Sequence, residues 1–285
     1  MRFLKPDEIR ASTFVRHVEI YDLLGSTNDR AAELARETNI ELPALVVARH
    51  QTAGRGRGQN KWWSADGALT FSILLDSAES GIPTANWPQL SLATAVAVCN
   101  ALEIELDTGR IRAESEEIPT ARGDGPTRSI PRTRLGIKWP NDVLLDGRKV
   151  CGILIESPGG TGPAKKRLIF GVGINVNNSW RDAPDKIDPG GTAMCDVTGR
   201  EHELQDVLVL FLQAFERRLV QLGNGHAELS AAWRQLVGQV HHDVEIDANG
   251  RRVAGRCLGV AEDGALVIRT GPQTRRIYGG SVRIA

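Results

Sequence analysis

Gln51-Thr-Ala-Gly-Arg-Gly-Arg-Gly-Gln-Asn-Lys-Trp-Trp-Ser64 is the most informative segment of this chain. Three glycines, Gly54, Gly56 and Gly58, alternate with Arg55 and Arg57, and Lys61, Trp62 and Trp63 follow. Glycine lets backbone approach a ligand closely or take positive φ. Arginine supplies permanent charge and a planar fork of donors for carboxylate or phosphate. Residues two apart in extended chain point the same way. Arg55 and Arg57 are therefore expected to converge on two anions that otherwise repel, a carboxylate and an α-phosphate. A flexible arginine-glycine loop that binds nucleic acid loosely is the competing reading. Flanking strands and a formal net charge of zero weigh against it.

On either side of this segment, 45–48 and 69–75 read as buried strands. Ser26 and Asp29 fit a helix-capping pattern, so a helix should begin there. Pro88 is placed to open a helix over 90–106 with Leu92, Ala93, Val96, Ala97 and Ala101 facing inward. Asp146-Gly147 marks a hairpin turn between strands at 137–145 and 149–156. A strand over 168–176 and a helix over 204–222 follow. Beyond Trp233 the texture changes to short strands at 240–246, 252–260, 265–269, 275–278 and 282–284, with Asn249-Gly250 and Asp263-Gly264 as turns. Such a small β unit is marginal alone and should pack on the rest. Residues 113–134, acidic and then rich in Pro, Gly, Thr and Arg (Arg122, Arg128, Arg132, Arg134), read as a mobile surface insertion, and 158–163 as a second flexible loop.

The bulk numbers exclude more than they identify. With 35 basic and 35 acidic residues in 285, no global field points to DNA or a membrane surface. Cys99, Cys151, Cys195 and Cys257 form no C-x-x-C pair and read as buried thiols. The six histidines show no ligand spacing. No P-loop, complete dinucleotide fingerprint or nucleophile elbow is present. The first 24 residues lack a signal peptide's apolar stretch, and no apolar run reads as long enough to span a bilayer, so the cytoplasm is the expected location.

Lys138-Trp-Pro-Asn-Asp142 offers an ammonium, an amide and a carboxylate. Asp142 can hold Mg²⁺ on a triphosphate and Lys138 can reach a phosphate; taken alone, Asn-Asp before a strand is more often a turn. Lys149 is a second candidate cation across the hairpin. Asn175, inside an apolar strand, is either a structural bridge or a ligand contact, and by itself the bridge is favoured. Gln51 is equally ambiguous alone. Ser26 and Thr27 read as caps whose hydroxyls can also face a polar ligand.

Taken together, Ser26-Thr27-Asn28, Gln51 to Arg57, Lys138 to Asp142, Arg148 to Glu156 and Gly171-Val-Gly-Ile-Asn175 resemble the biotin protein ligases in order and spacing, from about residue 20 onward. The resemblance implies an α+β fold: a mixed β-sheet with helices packed on it, as in class II aminoacyl-tRNA synthetases and biotin–lipoate ligases, over 1–236, and an SH3-like β-barrel over 237–285. It implies an ATP-dependent, AMP-forming ligase that makes biotinyl-5′-AMP and passes biotin to a lysine of a biotin carboxyl carrier protein domain of acyl-CoA carboxylases. By resemblance, Ser26, Thr27, Asn28, Gln51, Gly54, Arg55, Gly56, Arg57, Lys149 and Gly152 surround biotin. Arg57, Trp62, Lys138, Asn141, Asp142 and Asn175 serve ATP. Arg57, Lys149 and Asp142 carry the chemistry, with Asp142 on Mg²⁺. Ordering two glycine-rich loops costs entropy, which predicts that biotin binds before ATP. Gln59 and Asn60 stand where the family pattern has glycine and arginine, and Lys61 is the nearest replacement charge. Only about twenty-five residues precede Ser26, too few for the DNA-binding domain that some members carry, so no DNA partner is expected. The resemblance admits a weak or ligand-induced homodimer. A lipoate or octanoate ligase and a non-catalytic biotin sensor are the alternatives.

Overall fold

The structure is a computed structural model that describes residues 4–116, 135–159, 166–185, 187, 190–225, 227–248 and 250–285. A short helix α1 (Pro6–Ser12), with proline in its first turn, Asp7 and Glu8 beside it and Arg10 at its end, opens the chain. Those charges complement the helix dipole. Strand β1 (His17–Leu24), helix α2 (Thr27–Leu34), and strands β2 (Ala44–Gln51) and β3 (Ala68–Asp76) follow. A 3₁₀ turn over Thr84–Gln89 holds Pro88 and runs into helix α3 (Leu90–Glu116). Helix α3 is longer than the expected 90–106 and extends through 113–116, the start of the expected insertion. Gly109 offers an earlier stop, but the helix runs through it, and no proline between 89 and 117 forces an end. The remainder of that insertion, including Arg122, Arg128, Arg132 and Arg134, lies outside the described residues.

The chain resumes with β4 (Leu135–Lys138), β5 (Asp142–Leu145), β6 (Arg148–Glu156) and β7 (Arg167–Asn175). Asp146 and Gly147 take φ of 49° and 76°, so the expected β5–β6 turn is the primed type that matches strand twist. Most of the expected loop over 158–163 lies outside the described residues. The seven strands form one mixed sheet in the order β1-β2-β3-β7-β6-β5-β4, parallel only between β1 and β2. Strand β7 is buried along its whole length, as its continuous apolar run requires.

Helices α4 (Met194–Thr198), α5 (Leu204–Asn224) and α6 (Ala227–Leu236) come next. Val207, Leu208, Phe211, Leu212, Phe215 and Leu219 of α5 are buried on one stripe, as expected. Phe211 and Phe215 stack at 5.5 Å and lean on Phe71 and Phe170 of the sheet. Segment Thr84–Asp107 is long and apolar enough to cross a bilayer by composition, contrary to expectation, but 78% of its most apolar window is buried inside the fold. Its hydrophobicity is that of a core helix packed on α5.

The last five strands, β8 (Asp243–Ala248), β9 (Arg251–Val260), β10 (Leu266–Thr270), β11 (Gln273–Ile277) and β12 (Ser281–Ile284), form an antiparallel sheet ordered β11-β10-β9-β8-β12. Val244, Ile246, Cys257, Leu266 and Ile268 join the same hydrophobic core as Phe71, Ile137 and Trp139. The small sheet is thus packed on the large one, as its size demanded. The four cysteines are free; three are buried, and burial pushes the Cys99 thiol up to about 12. They are inert packing groups.

Candidate active site

A cavity of about 280 Å³ opens over the middle of the large sheet. Its lining includes Ser26, Thr27, Asn28, Gln51, Arg55, Gly56, Arg57, Trp62, Lys138, Asn141, Asp142, Lys149 and Gly152. Distant segments meet there because α2 begins at the end of β1, the 51–64 segment leaves β2 beside it, and β5, β6 and β7 pass underneath.

The floor is made of absent side chains. A Cβ on Gly171 would stand 2.2 Å from Asn28 Oδ1, and one on Gly173 would stand 2.3 Å from Trp62 Cε2. A Cβ on Gly152 would come within 3.1 Å of the same indole. Trp62 therefore lies on the floor, and its Nε1 donates to Thr70 Oγ1 at 3.4 Å. Trp63 meets Trp180 edge-on at 5.1 Å beside it.

One wall is a chain of hydrogen bonds. Thr27 donates from its backbone N (2.7 Å) and its Oγ1 (3.1 Å) to Gln51 Oε1. Ser72 Oγ lies 2.7 Å from Thr27 Oγ1 and 2.6 Å from Asn28 Oδ1. Asn28 Nδ2 donates to Glu156 Oε2 at 2.7 Å. Ser26 sits at the N-cap of α2 but makes no cap bond, contrary to the capping pattern. Asp29 is drawn away to Arg55 at 2.8 Å, and the Ser26 hydroxyl is left to the cavity that it lines.

The arginine-glycine segment is a tight hairpin here. Arg55 and Lys61 form a bridge, Gly56 N donates to Asn60 O at 2.8 Å, and Trp62 N donates to Gly54 O at 3.0 Å. This overturns the expected convergence of Arg55 and Arg57. Arg55 turns to Glu156, bidentate at 2.8 and 2.7 Å, while Arg57 Nη1 donates to Gly280 O of the C-terminal sheet at 2.8 Å. The hairpin replaces the extended geometry that would have aligned them. The hydrogen bonds from Arg55 to Glu156 raise its guanidinium's pKa further. Burial pushes the Glu156 carboxyl up, but hydrogen bonds from Arg55 and Asn28 outweigh it and hold the group below the usual carboxylate range.

Opposite that wall, Lys149 Nζ pairs with Asp142 Oδ1 at 2.7 Å. Asn141 is pinned by Nδ2 to Ile153 O at 2.8 Å, and the Trp139 indole below donates to Gly264 O at 3.0 Å. Two sequence candidates stay out of the lining. Gly54 is buried, and a Cβ there would meet Trp62 O at 2.7 Å. Asn175 is fully buried: Nδ2 donates to Thr192 O at 2.9 Å and Oδ1 accepts from Asn178 at 3.1 Å. It is the structural bridge that its residue type alone suggested.

This architecture has relatives. The model of the biotin/lipoate A/B protein ligase family matches residues 21–175. The biotin–[acetyl-CoA-carboxylase] ligase of Paracoccus denitrificans is 32% identical, over 88% of this chain and 93% of its own. The chain belongs to the biotin/lipoate A/B protein ligase family. The bifunctional ligase/repressor BirA of Bacillus subtilis is 29% identical, over 97% of this chain and 76% of the relative. Among solved structures, this family member is similar to the biotin protein ligase of Aquifex aeolicus in complex with biotin and ATP, with TM-score 0.73, 28% identity, and coverage of 95% and 100% of the two chains.

Within the family frame, several residues that line the cavity or bond to its lining carry no role in the sequence motifs. Thr70 and Ser72 are polar residues two apart in an apolar strand, a period-two signal that marks one face. Glu156 ends the β6 motif with no partner visible in sequence. Asp247, Gly280 and Ser281 reach the cavity from the C-terminal sheet, and no local pattern announces them.

Proposed function

We propose that this chain activates biotin with ATP to biotinyl-5′-AMP and transfers biotin to a lysine of a biotin carboxyl carrier domain. The reading rests on one observation: a side-chain-free floor, a polar wall and a cluster of cations face one cavity. Biotin offers a flat ureido ring, an apolar body and a carboxylate. Gly171 lets the Asn28 amide lie flat on the sheet, and Gly152 leaves room for the rings once the Trp62 indole moves aside toward the nucleotide. Gln51 Oε1 is already occupied by Thr27, so its amide presents donors to a ureido carbonyl. Ser26 and Thr27 add hydroxyls, and the backbone at Arg55 adds an amide; the Gly56 amide donates to Asn60 O at 2.8 Å and would join it only on opening of the hairpin.

A carboxylate and a triphosphate repel, so bringing them together is the main barrier that the protein lowers. Lys149 and Arg57 supply positive charge where the carboxylate attacks the α-phosphorus and pyrophosphate departs. Lys138 and Asn141 serve the phosphates, and Trp62 closes toward the nucleotide. Among the described residues no cluster of three acidic, His or Cys groups exists to hold a resident metal. A Mg²⁺ carried on the triphosphate fits, since it needs only one carboxylate beyond phosphates and water; Asp142 would hold it and would help neutralise the leaving charge. Asn175 acts at a distance by fixing Thr192. The two sheets, divided near residue 236, would act together through Arg57 and Gly280, and the enzyme would work in the cytoplasm.

Lipoate or octanoate is the alternative acid. Neither has a ureido group, so either would leave the buried polar wall unpaired, at a cost of about 1–3 kcal/mol per group. Mass spectrometry of the chain incubated with biotin, octanoate or lipoate plus ATP and Mg²⁺ separates these readings. Biotinyl-AMP with stoichiometric pyrophosphate is expected. Octanoyl- or lipoyl-AMP alone would replace the proposal, and no adenylate would favour a sensor.

A further inference from the structure

Glu156 lies at the end of β6, outside the cavity lining but bonded to two residues of it, and its carboxylate is shared. Oε2 accepts from Asn28 Nδ2 at 2.7 Å, and both oxygens accept from Arg55, at 2.8 and 2.7 Å. Asn28 is a residue of the polar wall, whereas Arg55 opens the glycine hairpin. One side chain therefore joins two parts of the site that are separated by the strand β2.

The joint has a direction. The Asn28 amide has two ends, and Glu156 accepts from only one kind. With Nδ2 facing the carboxylate, Oδ1 must face Ser72, whose hydroxyl lies at 2.6 Å. Flipping the amide would set Asn28 Oδ1 against the Glu156 carboxylate, two acceptors with no proton between them. It would also turn Ser72 into an acceptor and release its proton toward Thr27, 2.7 Å away. Thr27 in turn fills Gln51 Oε1. The orientation of the Asn28 amide, and with it the direction of the Ser72 hydroxyl, thus follows chiefly from the charge on Glu156 at 2.7 Å, with a longer bond from Nδ2 to Leu154 O at 3.4 Å pointing the same way. Gly171 leaves no slack, because Asn28 already occupies the space of its missing Cβ.

We propose that Glu156 is a positioning residue: it locks the Asn28 amide, and with it the hydrogen-bond polarity of the biotin wall, and it fastens that wall to the arginine-glycine hairpin through Arg55. The proposal rests on the ligase reading for the identity of the ligand. It predicts that biotin affinity and hairpin order are coupled through a carboxylate that does not touch the reacting atoms, beside the Asp29–Arg55 pair at 2.8 Å, which tethers the hairpin to α2 but makes no bond to the Asn28 amide.

Glu156→Gln is the informative variant. Glutamine keeps the shape but offers both a donor and an acceptor, so only the 3.4 Å bond to Leu154 O still favours one Asn28 orientation, and it cannot pair bidentately with Arg55. Calorimetry should show the biotin Kd raised about tenfold, with the ATP KM within twofold and the thermal unfolding midpoint little changed. The Arg55→Gln/Glu156→Gln double variant should be no weaker than the worse single one, because the two share one interaction. In the ligand-free chain, the Asn28 side-chain amide should show one pair of ¹⁵N-coupled resonances in wild type and lose that single environment in Glu156→Gln. An unchanged biotin Kd, or biotin and ATP constants that worsen together with the melting point, would overturn the proposal, as would an unmoved Asn28 amide. The amide readout needs no ligand. A wild-type chain that made no biotinyl-AMP would sink the ligase reading and leave the amide lock still to be judged.

Discussion

Lys149 Nζ stands 2.7 Å from Asp142 Oδ1 across the β5–β6 hairpin, and both side chains line the cavity. A β-bulge between Val143 and Leu144 shifts the register so that Asp142 lies opposite Gly152, and Leu144 opposite Lys149. The pair is a charge reservoir: when a triphosphate with Mg²⁺ arrives, the carboxylate can turn to the metal and the ammonium to the phosphate. Lys149→Ala and Asp142→Ala should each slow biotin-dependent pyrophosphate release about a hundredfold or more, on the order of 3 kcal/mol of lost charge stabilisation. The unfolding midpoint should move little, because the pair is part-exposed. Pyrophosphate release at the wild-type rate in both variants would refute these roles.

The floor makes a graded prediction. Gly171→Ala puts a methyl 2.2 Å from Asn28 Oδ1, an atom held by Ser72 and unable to retreat. Gly152→Ala meets only the Trp62 ring edge at 3.1 Å and the end of Lys149 at 3.3 Å. Overpacking a fixed neighbour costs about 1–3 kcal/mol. Calorimetry should therefore find biotin binding weakened roughly tenfold or more by Gly171→Ala, and distinctly less by Gly152→Ala. Equal losses would mean that the floor does not define the biotin site.

What the sequence disclosed tracks the range of the interactions. Strand β3, the β5–β6 turn and the α5 stripe were readable because each is written within a dozen residues. Helix α1 was also written locally, in Pro6, Asp7, Glu8 and Arg10, but its seven residues are too few to show a period. Strand β1 was missed because His17, Glu19, Tyr21 and Asp22 hide its alternation, and the half-buried Glu19 is held there by Arg30 and Tyr21, both at 2.9 Å. The site residues came from motifs, but where their side chains point did not. Arg55 meets Glu156, 101 positions later, and Arg57 meets Gly280, 223 positions later. No local rule reaches that far, so the parallel arginines of the extended chain became divergent ones in the folded hairpin.

A buried cluster behind the site sets an acid limit on stability. The imidazole of His202, fully enclosed, places Nδ1 2.9 Å from Glu105 and Nε2 2.8 Å from Thr198 Oγ1, with Arg200 at 3.3 Å from the same carboxylate. Burial pushes Glu105 up, but His202 and then Arg200 outweigh it, leaving the carboxyl below its ordinary 4.5. A carboxylate depressed in the folded state contributes stability that is present above its unfolded value and is lost as pH falls through the folded one. Urea midpoints of the wild type should thus hold near neutrality and drop below about pH 4.5. Glu105→Gln should cost about 1–3 kcal/mol at pH 7 and show a flatter acid limb. Parallel acid limbs in both proteins would remove Glu105 from the account.

Arg57 supplies the last prediction, because its position separates retention from chemistry. Its Nη1 donates to Gly280 O at 2.8 Å, and a carbonyl leaves the guanidinium charge uncompensated. The residue is therefore free to turn inward on a mixed anhydride, gripping biotinyl-AMP by its phosphate and screening it from water. Lys149 still provides charge at the attacking carboxylate if Arg57 is lost. Arg57→Gly should accordingly keep forming adenylate but release it roughly ten to a hundred times faster, for a loss of about 1.4–2.8 kcal/mol. Escaped adenylate acylates whichever deprotonated lysine it meets, so an added protein that is no acceptor should become biotinylated. Arg57→Lys keeps charge but loses the planar fork, and its release rate should fall between. Rapid filtration of labelled adenylate and blotting of the bystander check both points. If Arg57→Gly holds its adenylate as firmly as wild type and leaves the bystander unlabelled, retention belongs to other residues, and the Gly280 contact is merely a surface latch.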